Sequence, residues 1–450
     1  MDGFNENSNE QQAQQPMGCL HRFSKTIKVV IIGLLILLLM IPMFMIENLI
    51  SERGRTQEEA IDEVSEKWSL AQTITGPYLN LQYPVVTENN GEKKVSIKDL
   101  ILFPDELMVN GQLKTEILKR SIYEVNVYQS ELTLKGSFSS EELKKSRIDM
   151  DQLQFDRAAI CLNLTDMRGI SEQISITLGD SVYIFEPGMD NRGIANTGVH
   201  AIANLSELKQ NKKLPYEIKI KLKGSQSLNF IPLGKTTRVD LKANWNTPSF
   251  TGNYLPNNRN ITEKEFSAQW QVLNLNRNYS QVMVDFNTSN IKDIESSSFG
   301  VNFKIPVEQY QQSMRSAKYA ILIILLTFGV IFFTEIMNKT RIHALQYLLV
   351  GLALCLFYSL LLSFSEHIGF NPAYLLSSAL TIILVGGYMF GITKKKKPSL
   401  IMSGLLGILY LYIFVLIQLE TFALLAGSLG LFIILAMVMY FSKKIDWFNE

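Results

Sequence analysis

Six stretches of the chain are apolar enough to cross a membrane as helices. A bilayer core of about 30 Å needs roughly 20 apolar residues in a helix, because each backbone polar group must be satisfied inside the segment. None of the six stretches has a charge at its centre. The pattern predicts membrane helices at residues 27–48, 317–338, 344–364, 372–392, 399–419 and 421–441.

The lysines and arginines beside these helices predict their direction. They occur before the first helix, between the second and third, between the fourth and fifth, and after the sixth. The intervening loops, SEHIGFNP and LET, contain neither residue type. Short cytoplasmic loops carry an excess of Lys and Arg, so this alternation predicts that both termini are cytoplasmic. Residues 1–26 are then expected to form a disordered cytoplasmic tail, and residues 442–450 a second cytoplasmic tail.

Between the first and second helices, the pattern changes to short runs in which apolar and polar residues alternate. Runs such as KKVSIKDLILF, SIYEVNVYQSELTLKGSF and TRVDLKANW are separated by Gly, Pro, Asn and Asp. Alternation with such turns is typical of antiparallel strands. We therefore predict a large β-rich antiparallel extracytoplasmic domain at residues 49–316. The fold class is a polytopic α-helical membrane protein with six transmembrane helices, one before this domain and five after it.

Composition excludes several classes of function. The chain has 43 basic and 42 acidic residues, and it therefore lacks the basic excess that nucleic-acid binding requires. Its three cysteines, Cys19, Cys161 and Cys355, are too far apart to indicate a disulfide framework or a metal site. The domain has one histidine, His200, and no recognised catalytic or phosphate-binding motif. We expect no catalytic residues, no cofactor and no metal.

Residues 245–279 are rich in aromatic side chains, Arg and Asn, in WNTPSFTGNYLPNNRNITEKEFSAQWQVLNLNRNY. One interpretation is an aromatic corner of the sheet with its turns. The other is a binding surface for a glycan, peptide or protein, because exposed aromatic residues with Arg are enriched in such surfaces.

Four polar residues flank the third predicted helix and are candidate functional residues. Arg341 and His343 precede the helix, and Glu366 and His367 follow it. A helix of this length separates the two pairs by about 30 Å, so they do not form one site. Arg341 and His343 are expected at the cytoplasmic surface, where Arg341 and Lys339 fit positive-inside anchors. The Glu366–His367 pair is either part of a solvated loop or an outer-surface site that touches lipid headgroups or the β-rich domain.

The membrane segments give little indication of transport. Glu335 lies close to one end of the second helix, and no broken helix pair or inverted repeat is evident. Small residues at four-residue spacing predict close contacts between helices. These pairs are Gly387/Gly391, Ser403/Gly407 and Ala423/Gly427.

Four segments carry a family resemblance: residues 341–370, from RIHALQYLLVGLALCLFYSLL onward, and residues 230–256, 266–279 and 299–320. In these segments the chain resembles the CreD family of bacterial inner-membrane, cell-envelope proteins. The resemblance covers most of the chain from about Trp68. It implies an extracytoplasmic domain between one N-terminal helix and a C-terminal helical block, and a role in envelope stress and integrity. It brings no catalytic residues.

The residue pattern predicts a non-enzymatic membrane protein, and the resemblance implies that it lies in the bacterial cytoplasmic membrane and supports cell-envelope integrity and the stress response. Its expected partners are the lipid bilayer and a cell-wall, lipid or envelope-protein ligand, which would bind the periplasmic domain. The alternative is a membrane-embedded enzyme that modifies lipid or cell wall, or a transporter, and that uses the Glu366–His367 edge.

Overall fold

The chain divides into two compact units in a computed structural model. The membrane unit comprises Met1–Thr56 and Val307–Glu450, and the β-rich unit comprises Gln57–Pro306. The predicted range of the β-rich domain, 49–316, is wider at both ends than this unit. The structure describes residues 24–89, 92–146, 149–189, 194–195, 197–210, 212–284, 288–303, 305, 308–338, 341–419 and 422–443. The predicted tails therefore lie almost entirely outside the described residues.

Helices make up the described part of the membrane unit. The first, α1, begins there and ends at Trp68 in the β-rich unit. Two short helices belong to the β-rich unit, α2 (Glu141–Lys145) and α3 (Thr288–Ser296). The others are α1 (Ser24–Trp68), α4 (Glu308–Lys318), α5 (Ala320–Asn338), α6 (Ala344–Ile368), α7 (Phe370–Thr393), α8 (Lys396–Gln418) and α9 (Ala423–Ser442).

Five of the described helices are long and apolar enough to cross a membrane: α1, α5, α6, α7 and α8. This confirms one apolar helix before the β-rich unit and a helical block after it. In α9 the apolar segment found among the described residues is shorter, Leu425–Met437. The sixth span, at 421–441, therefore stays a prediction.

Close helix contact in the membrane unit occurs at glycines other than those predicted from spacing. A Cβ atom at Gly351 of α6 would lie 2.1 Å from Leu39 Cδ1 of α1 and 3.0 Å from Phe328 Cζ of α5. At Gly386 of α7, a Cβ atom would lie 2.1 Å from Ser403 Oγ of α8. In contrast, no described atom lies within 4 Å of the Cβ positions at Gly387, Gly391, Gly407 and Gly427. The contact that spacing allows is therefore not made at these four glycines, whereas Ser403 of the pair Ser403/Gly407 does lie against Gly386. Spacing alone does not show which helix face meets a neighbour.

Replacing Gly351 by leucine is expected to lower the free energy of unfolding by about 1–3 kcal/mol, because added methyl and methylene groups overpack a filled interior. The melting temperature of the purified protein in detergent measures this change. Gly387→Leu is the matched control, since it adds the same side chain at an exposed helix position. Equal melting temperatures for the two variants would contradict the assigned contact.

Seventeen strands form the described part of the β-rich unit. They are β1 (Gln72–Asn89), β2 (Glu92–Leu102), β3 (Glu106–Arg120), β4 (Tyr123–Phe138), β5 (Ala158–Leu164), β6 (Ser175–Leu178), β7 (Ser181–Ile184), β8 (Glu186–Pro187), β9 (Val199–Ala203), β10 (Leu214–Ser225), β11 (Ser227–Phe230), β12 (Thr236–Ala243), β13 (Ser249–Gly252), β14 (Asn258–Ile261), β15 (Phe266–Leu273), β16 (Val282–Val284) and β17 (Phe299–Asn302).

The strands form two sheets. One has the order β13-β17-β11-β1-β5-β9-β8, with β2 also paired to β1 and β16 paired to β2. The other has the order β14-β15-β12-β3-β4-β10-β6-β7. Most pairings are antiparallel, as the sequence predicts. Two described pairings, β1 with β11 and β3 with β12, are parallel.

Alternating side chains of both sheets build a shared hydrophobic core. In β12, for example, Thr237, Val239, Leu241 and Ala243 are buried, and the residues between them are more exposed. Side chains from β1 to β5, β10 to β12, β15 and β17 belong to the same cluster. A second, smaller cluster includes Tyr78, Cys161 and Ile294, so the first sheet is also covered on its other face. Burial on both faces explains why every residue of β5 is buried.

Candidate functional site

The four candidate residues around the third membrane helix lie at opposite ends of α6. His343 is the N-cap of α6, and Glu366 and His367 lie in its last turn. The 25 residues of α6 rise about 37 Å at ~1.5 Å per residue. The structure therefore does not bring Arg341 and His343 together with Glu366 and His367. Each end of α6 has its own polar cluster.

Glu366 and His367 are helical residues and do not lie in a loop. The predicted helix ended at residue 364, where the apolar run ends, but the helical hydrogen bonds continue to Gly369, whose N–H donates to Ser365 O at 3.1 Å. Gly369 has a φ of 78°, a conformation that glycine adopts without a steric cost. This single residue joins α6 to α7. The interpretation of the pair as part of a solvated loop was wrong for this reason.

Glu366 joins three helices in what we call the Glu366 cluster, which consists of Arg53, Tyr310 and Glu366. The Tyr310 hydroxyl of α4 donates to Glu366 Oε1 at 3.0 Å, and Arg53 Nε of α1 lies 4.0 Å from the same oxygen. The Glu366 side chain is only 12% exposed, so these partners balance a largely buried carboxylate. The Glu366 carboxylate thus connects α6 to α4 through its hydrogen bond and to α1 through its ion pair.

His367 does not take part in this cluster. Its side chain is exposed, and it makes no hydrogen bond or ion pair with any residue that the structure describes. An acid–base pair requires the two groups within hydrogen-bond reach of one another or of a shared substrate atom. Glu366 is largely buried and hydrogen-bonded to Tyr310, whereas the His367 side chain is exposed. The two adjacent residues therefore lie in different environments.

A second polar cluster lies at the other end of α6, and we call it the Glu335 cluster. It consists of Lys28, Glu335, Ile342 and Tyr347. Lys28 Nζ donates to Glu335 Oε1 and, at 3.2 Å, to the Ile342 carbonyl. Glu335 also accepts the Ile342 N–H at 3.1 Å and the Tyr347 hydroxyl at 3.2 Å. The carboxylate is therefore balanced by one cation and two neutral donors.

His343 and Arg341 lie beside the Glu335 cluster. His343 Nδ1 accepts the Leu345 N–H at 3.2 Å, and the Gln346 side chain accepts the His343 N–H at 3.0 Å. These reciprocal bonds form a capping box at the start of α6. Arg341 is exposed and has no ion-pair partner among the described residues. The predicted anchoring role of Arg341 is compatible with its exposed position.

The chain as a whole matches a family model. The model, described as "Inner membrane protein CreD", matches residues 24–448. The chain belongs to the CreD family. One relative is the inner membrane protein CreD of Escherichia coli (strain K12), with 32% identity over 420 residues. The alignment covers 92% of this chain and 91% of that protein. The resemblance seen in the sequence is thus confirmed, and the chain is a CreD-family inner-membrane protein.

The β-rich unit of this CreD-family protein contains a pocket with both hydroxyl-bearing and apolar lining residues that sequence reasoning missed. Its volume is about 280 Å³, and its described lining includes five hydroxyl-bearing side chains and one carboxylate. These residues come from four separate parts of the chain, so no local motif could have indicated the pocket. They are Thr73, Thr75, Thr165, Thr197, Ser298 and Glu295.

The aromatic rings of residues 245–279 in this family member pack on one another and on rings elsewhere in the β-rich unit, such as Phe299. Phe250 lies edge-on to both Phe266 and Trp270, with ring centroids 5.9 and 5.6 Å apart. Phe266 and Trp270 are each only 2% exposed. The structure therefore places these rings as the aromatic-corner interpretation expects. The large apolar side chains most exposed in this stretch are Leu255 and Leu275, at 67% and 87%.

Arg277, from the same stretch, supports the loops around it. Its guanidinium lies 4.3 Å from the Tyr279 ring centroid and donates to the Leu233 carbonyl at 3.0 Å and to Gln281. Burial lowers the pKa of Arg277, and burial raises the pKa of Tyr279. These contacts use the charged head of Arg277 inside the protein, so it is not available for a ligand on the surface.

No group of three or more His, Cys, Asp or Glu side chains that could hold a metal ion occurs among the described residues. Cys161 and Cys355 are both buried, and neither forms a disulfide within the part of the chain that the structure describes. His200 is buried, and its Nδ1 lies 2.6 Å from the Gly188 carbonyl.

Proposed function

We propose that this CreD-family protein supports cell-envelope integrity and the stress response by binding an envelope component through its β-rich unit. In this proposal the β-rich unit is periplasmic and both termini are cytoplasmic, as the Lys and Arg of the short loops predict. The protein acts without enzymatic activity. Its ligand is a cell-wall, lipid or envelope-protein component.

The observation that carries the proposal is the hydroxyl-lined pocket of the β-rich unit. A volume of about 280 Å³ is close to the lower end of small-ligand sites, which begin at ~300 Å³. Hydroxyl groups both donate and accept hydrogen bonds, so this lining suits a ligand that carries hydroxyl or amide groups. Glycans and peptides of the envelope have such groups.

Survival of a deletion strain under envelope stress, from a detergent or a β-lactam, tests the pocket. The strain is complemented with the whole chain or with a Thr197→Trp variant, whose indole fills the pocket. We expect the variant to reduce survival about tenfold or more at an equal level of membrane-inserted protein. Thr177→Trp is the control, because Thr177 is an exposed residue of β6. Full rescue by Thr197→Trp would contradict binding at this pocket.

Two further complementations separate this proposal from the alternative of a membrane-embedded enzyme or transporter. Residues 1–316 alone are expected to restore survival, because they include the β-rich unit and one anchor. The full chain with Glu366→Ala and His367→Ala is also expected to restore survival. If both fail while inserted at the level of the whole chain, the function depends on the membrane unit and the Glu366–His367 edge, and the binding proposal is wrong.

A further inference from the structure

A groove of about 290 Å³ lies in the membrane unit, where the start of α1 faces the start of α6. Its α1 wall is apolar except for Lys28, and it consists of Ile27, Ile31, Ile32 and Leu35. From Ile27 to Leu35, α1 rises about 12 Å. The volume is roughly ten times the ~30 Å³ that one water molecule occupies in the liquid. The groove is therefore large enough for part of a hydrocarbon chain.

Three polar side chains also line the groove, Lys28 from α1 and His343 and Tyr347 from the α6 side. The rest of the α6 side is apolar and consists of Ile342 and Ala344. Lys28 donates two of its N–H groups, to Glu335 and to the Ile342 carbonyl. Its third N–H has no acceptor among the described residues. The ion pair also balances the charge of Glu335, so that carboxylate does not give the groove a net negative charge.

His343 and Arg341 add donors and charge at the start of α6. His343 Nδ1 accepts the Leu345 N–H, so a neutral ring carries its proton on Nε2. That N–H has no hydrogen-bond partner in the described part of the chain. Arg341, one residue before the lining residue Ile342, is exposed and likewise without an acid partner there. The N-terminus of α6 contributes a further partial positive charge.

We propose that this groove binds an anionic glycerophospholipid. One acyl chain lies along Ile31 and Leu35, and the phosphodiester accepts hydrogen bonds from Lys28 and His343. Arg341 supplies the net positive charge that favours an anionic headgroup over a zwitterionic one. The apolar wall selects a lipid over a soluble phosphate, because only a lipid has an acyl chain to bury. This site lies at the opposite end of α6 from Glu366 and does not depend on the ligand of the β-rich unit.

Native mass spectrometry of the full-length protein, released from detergent micelles, tests the proposal. The protein is titrated with dioleoylphosphatidylglycerol, which is anionic, and with dioleoylphosphatidylcholine, which is zwitterionic. We expect tighter binding of the anionic lipid by about fivefold or more, which corresponds to the ~1 kcal/mol contributed by one basic residue near an anionic headgroup. Arg341→Gln is expected to remove most of that preference. Its exposed position makes this variant compatible with folding.

Two matched pairs of variants assign the binding to the groove. Ile31→Trp fills the groove and is expected to weaken the binding of both lipids tenfold or more. Its control, Leu34→Trp, adds the same side chain at a position that is 64% exposed and lies outside the groove lining. Lys396→Gln removes an exposed charge elsewhere and is the control for Arg341→Gln. Retained lipid binding in both control variants supports the site.

Three results would overturn the proposal. Unchanged lipid binding in Ile31→Trp would show that no acyl chain occupies the groove. An equal loss of preference in Lys396→Gln and Arg341→Gln would assign the effect to overall surface charge. Displacement of the bound lipid by excess sn-glycerol 3-phosphate would show that the groove recognises a phosphate alone.

Discussion

Lys28→Met is expected to lower the free energy of unfolding of the membrane unit by about 2–3 kcal/mol. The substitution leaves the Glu335 carboxylate, 11% exposed, with the Ile342 N–H and the Tyr347 hydroxyl as its remaining donors. Removing one partner of a fully buried ion pair costs about 3–5 kcal/mol, because the other charge stays buried without compensation. The Lys28 side chain is 29% exposed, and water access reduces the loss.

A double-mutant cycle separates the ion pair from other effects of the substitution. Lys28→Met, Glu335→Gln and the double variant are unfolded in mixed detergent micelles, and their free energies are compared with that of the wild type. We expect the double variant to be more stable than Lys28→Met, with a coupling of about 1–2 kcal/mol, because it has no uncompensated charge. Lys396→Met is the control for loss of a lysine with no ion-pair partner in the described chain. If the losses of unfolding free energy in Lys28→Met and Glu335→Gln add up to the loss in the double variant, the assigned ion pair is contradicted.

Hydropathy predicted the membrane helices of this protein, but it did not predict their polar contacts. Lys28 and Glu335 are 307 residues apart, and nothing local to either residue indicates the other. A single acid near the end of an apolar segment does indicate that some partner exists, because an isolated charge there is costly. That signal is present at Glu335, but it does not identify Lys28 as the partner.

The end of α6 shows a second limit of prediction from hydropathy. Glu366 and His367 follow an apolar run, and the change to polar residues predicts that the helix ends before them. Helical hydrogen bonding does not depend on hydropathy, so α6 continues until Gly369 changes the backbone direction. The partners of Glu366 on α1 and α4 are set by tertiary packing, which cannot be predicted from a single sequence.

In the β-rich unit, the alternation of apolar and polar residues predicted strands reliably, because each strand buries one face against the shared core. The alternation carries no information about which strands pair. The parallel pairing of β1 with β11 joins residues more than 150 positions apart, as in Gln72 with Leu228. The pocket of this unit depends on such long-range pairing, so its residues could not be grouped from the sequence.

Asp166→Ala is expected to lower the free energy of unfolding of the β-rich unit by about 3 kcal/mol. Asp166 is 7% exposed, and its Oδ2 accepts the Leu70 N–H at 2.9 Å and an Arg168 N–H at 2.9 Å. Its Oδ1 accepts the backbone N–H of Arg168 at 3.0 Å. Hydrogen bonds to a charged acceptor contribute about 1.5–3 kcal/mol each, and the variant leaves the Leu70 N–H without its acceptor. These bonds hold the segment between the end of α1 at Trp68 and the start of β1 at Gln72.

The pH dependence of stability tests the same carboxylate. Burial raises the pKa of Asp166, but hydrogen bonds from Arg168 and the Leu70 N–H lower it more, to about 2 from an ordinary value of 3.8. A folded-state pKa below the unfolded one stabilises the folded protein above pH 3.8, and this stabilisation is lost as the pH falls towards 2. The shift corresponds to about 2 kcal/mol at ~1.36 kcal/mol per pKa unit.

Urea unfolding of the wild type and of Asp166→Asn, measured between pH 6 and pH 2, distinguishes this charge effect from a loss of packing. The difference in unfolding free energy between the two proteins is expected to shrink by about 2 kcal/mol as the pH falls from 4 to 2, since the carboxylate then becomes largely protonated in the unfolded chain and about half protonated in the folded protein. Asp180→Asn is the control, because Asp180 is exposed and makes no hydrogen bond or ion pair with the described residues. A difference that stays constant with pH would mean that Asp166 acts through its shape, and that its charge does not hold the junction of α1 and β1.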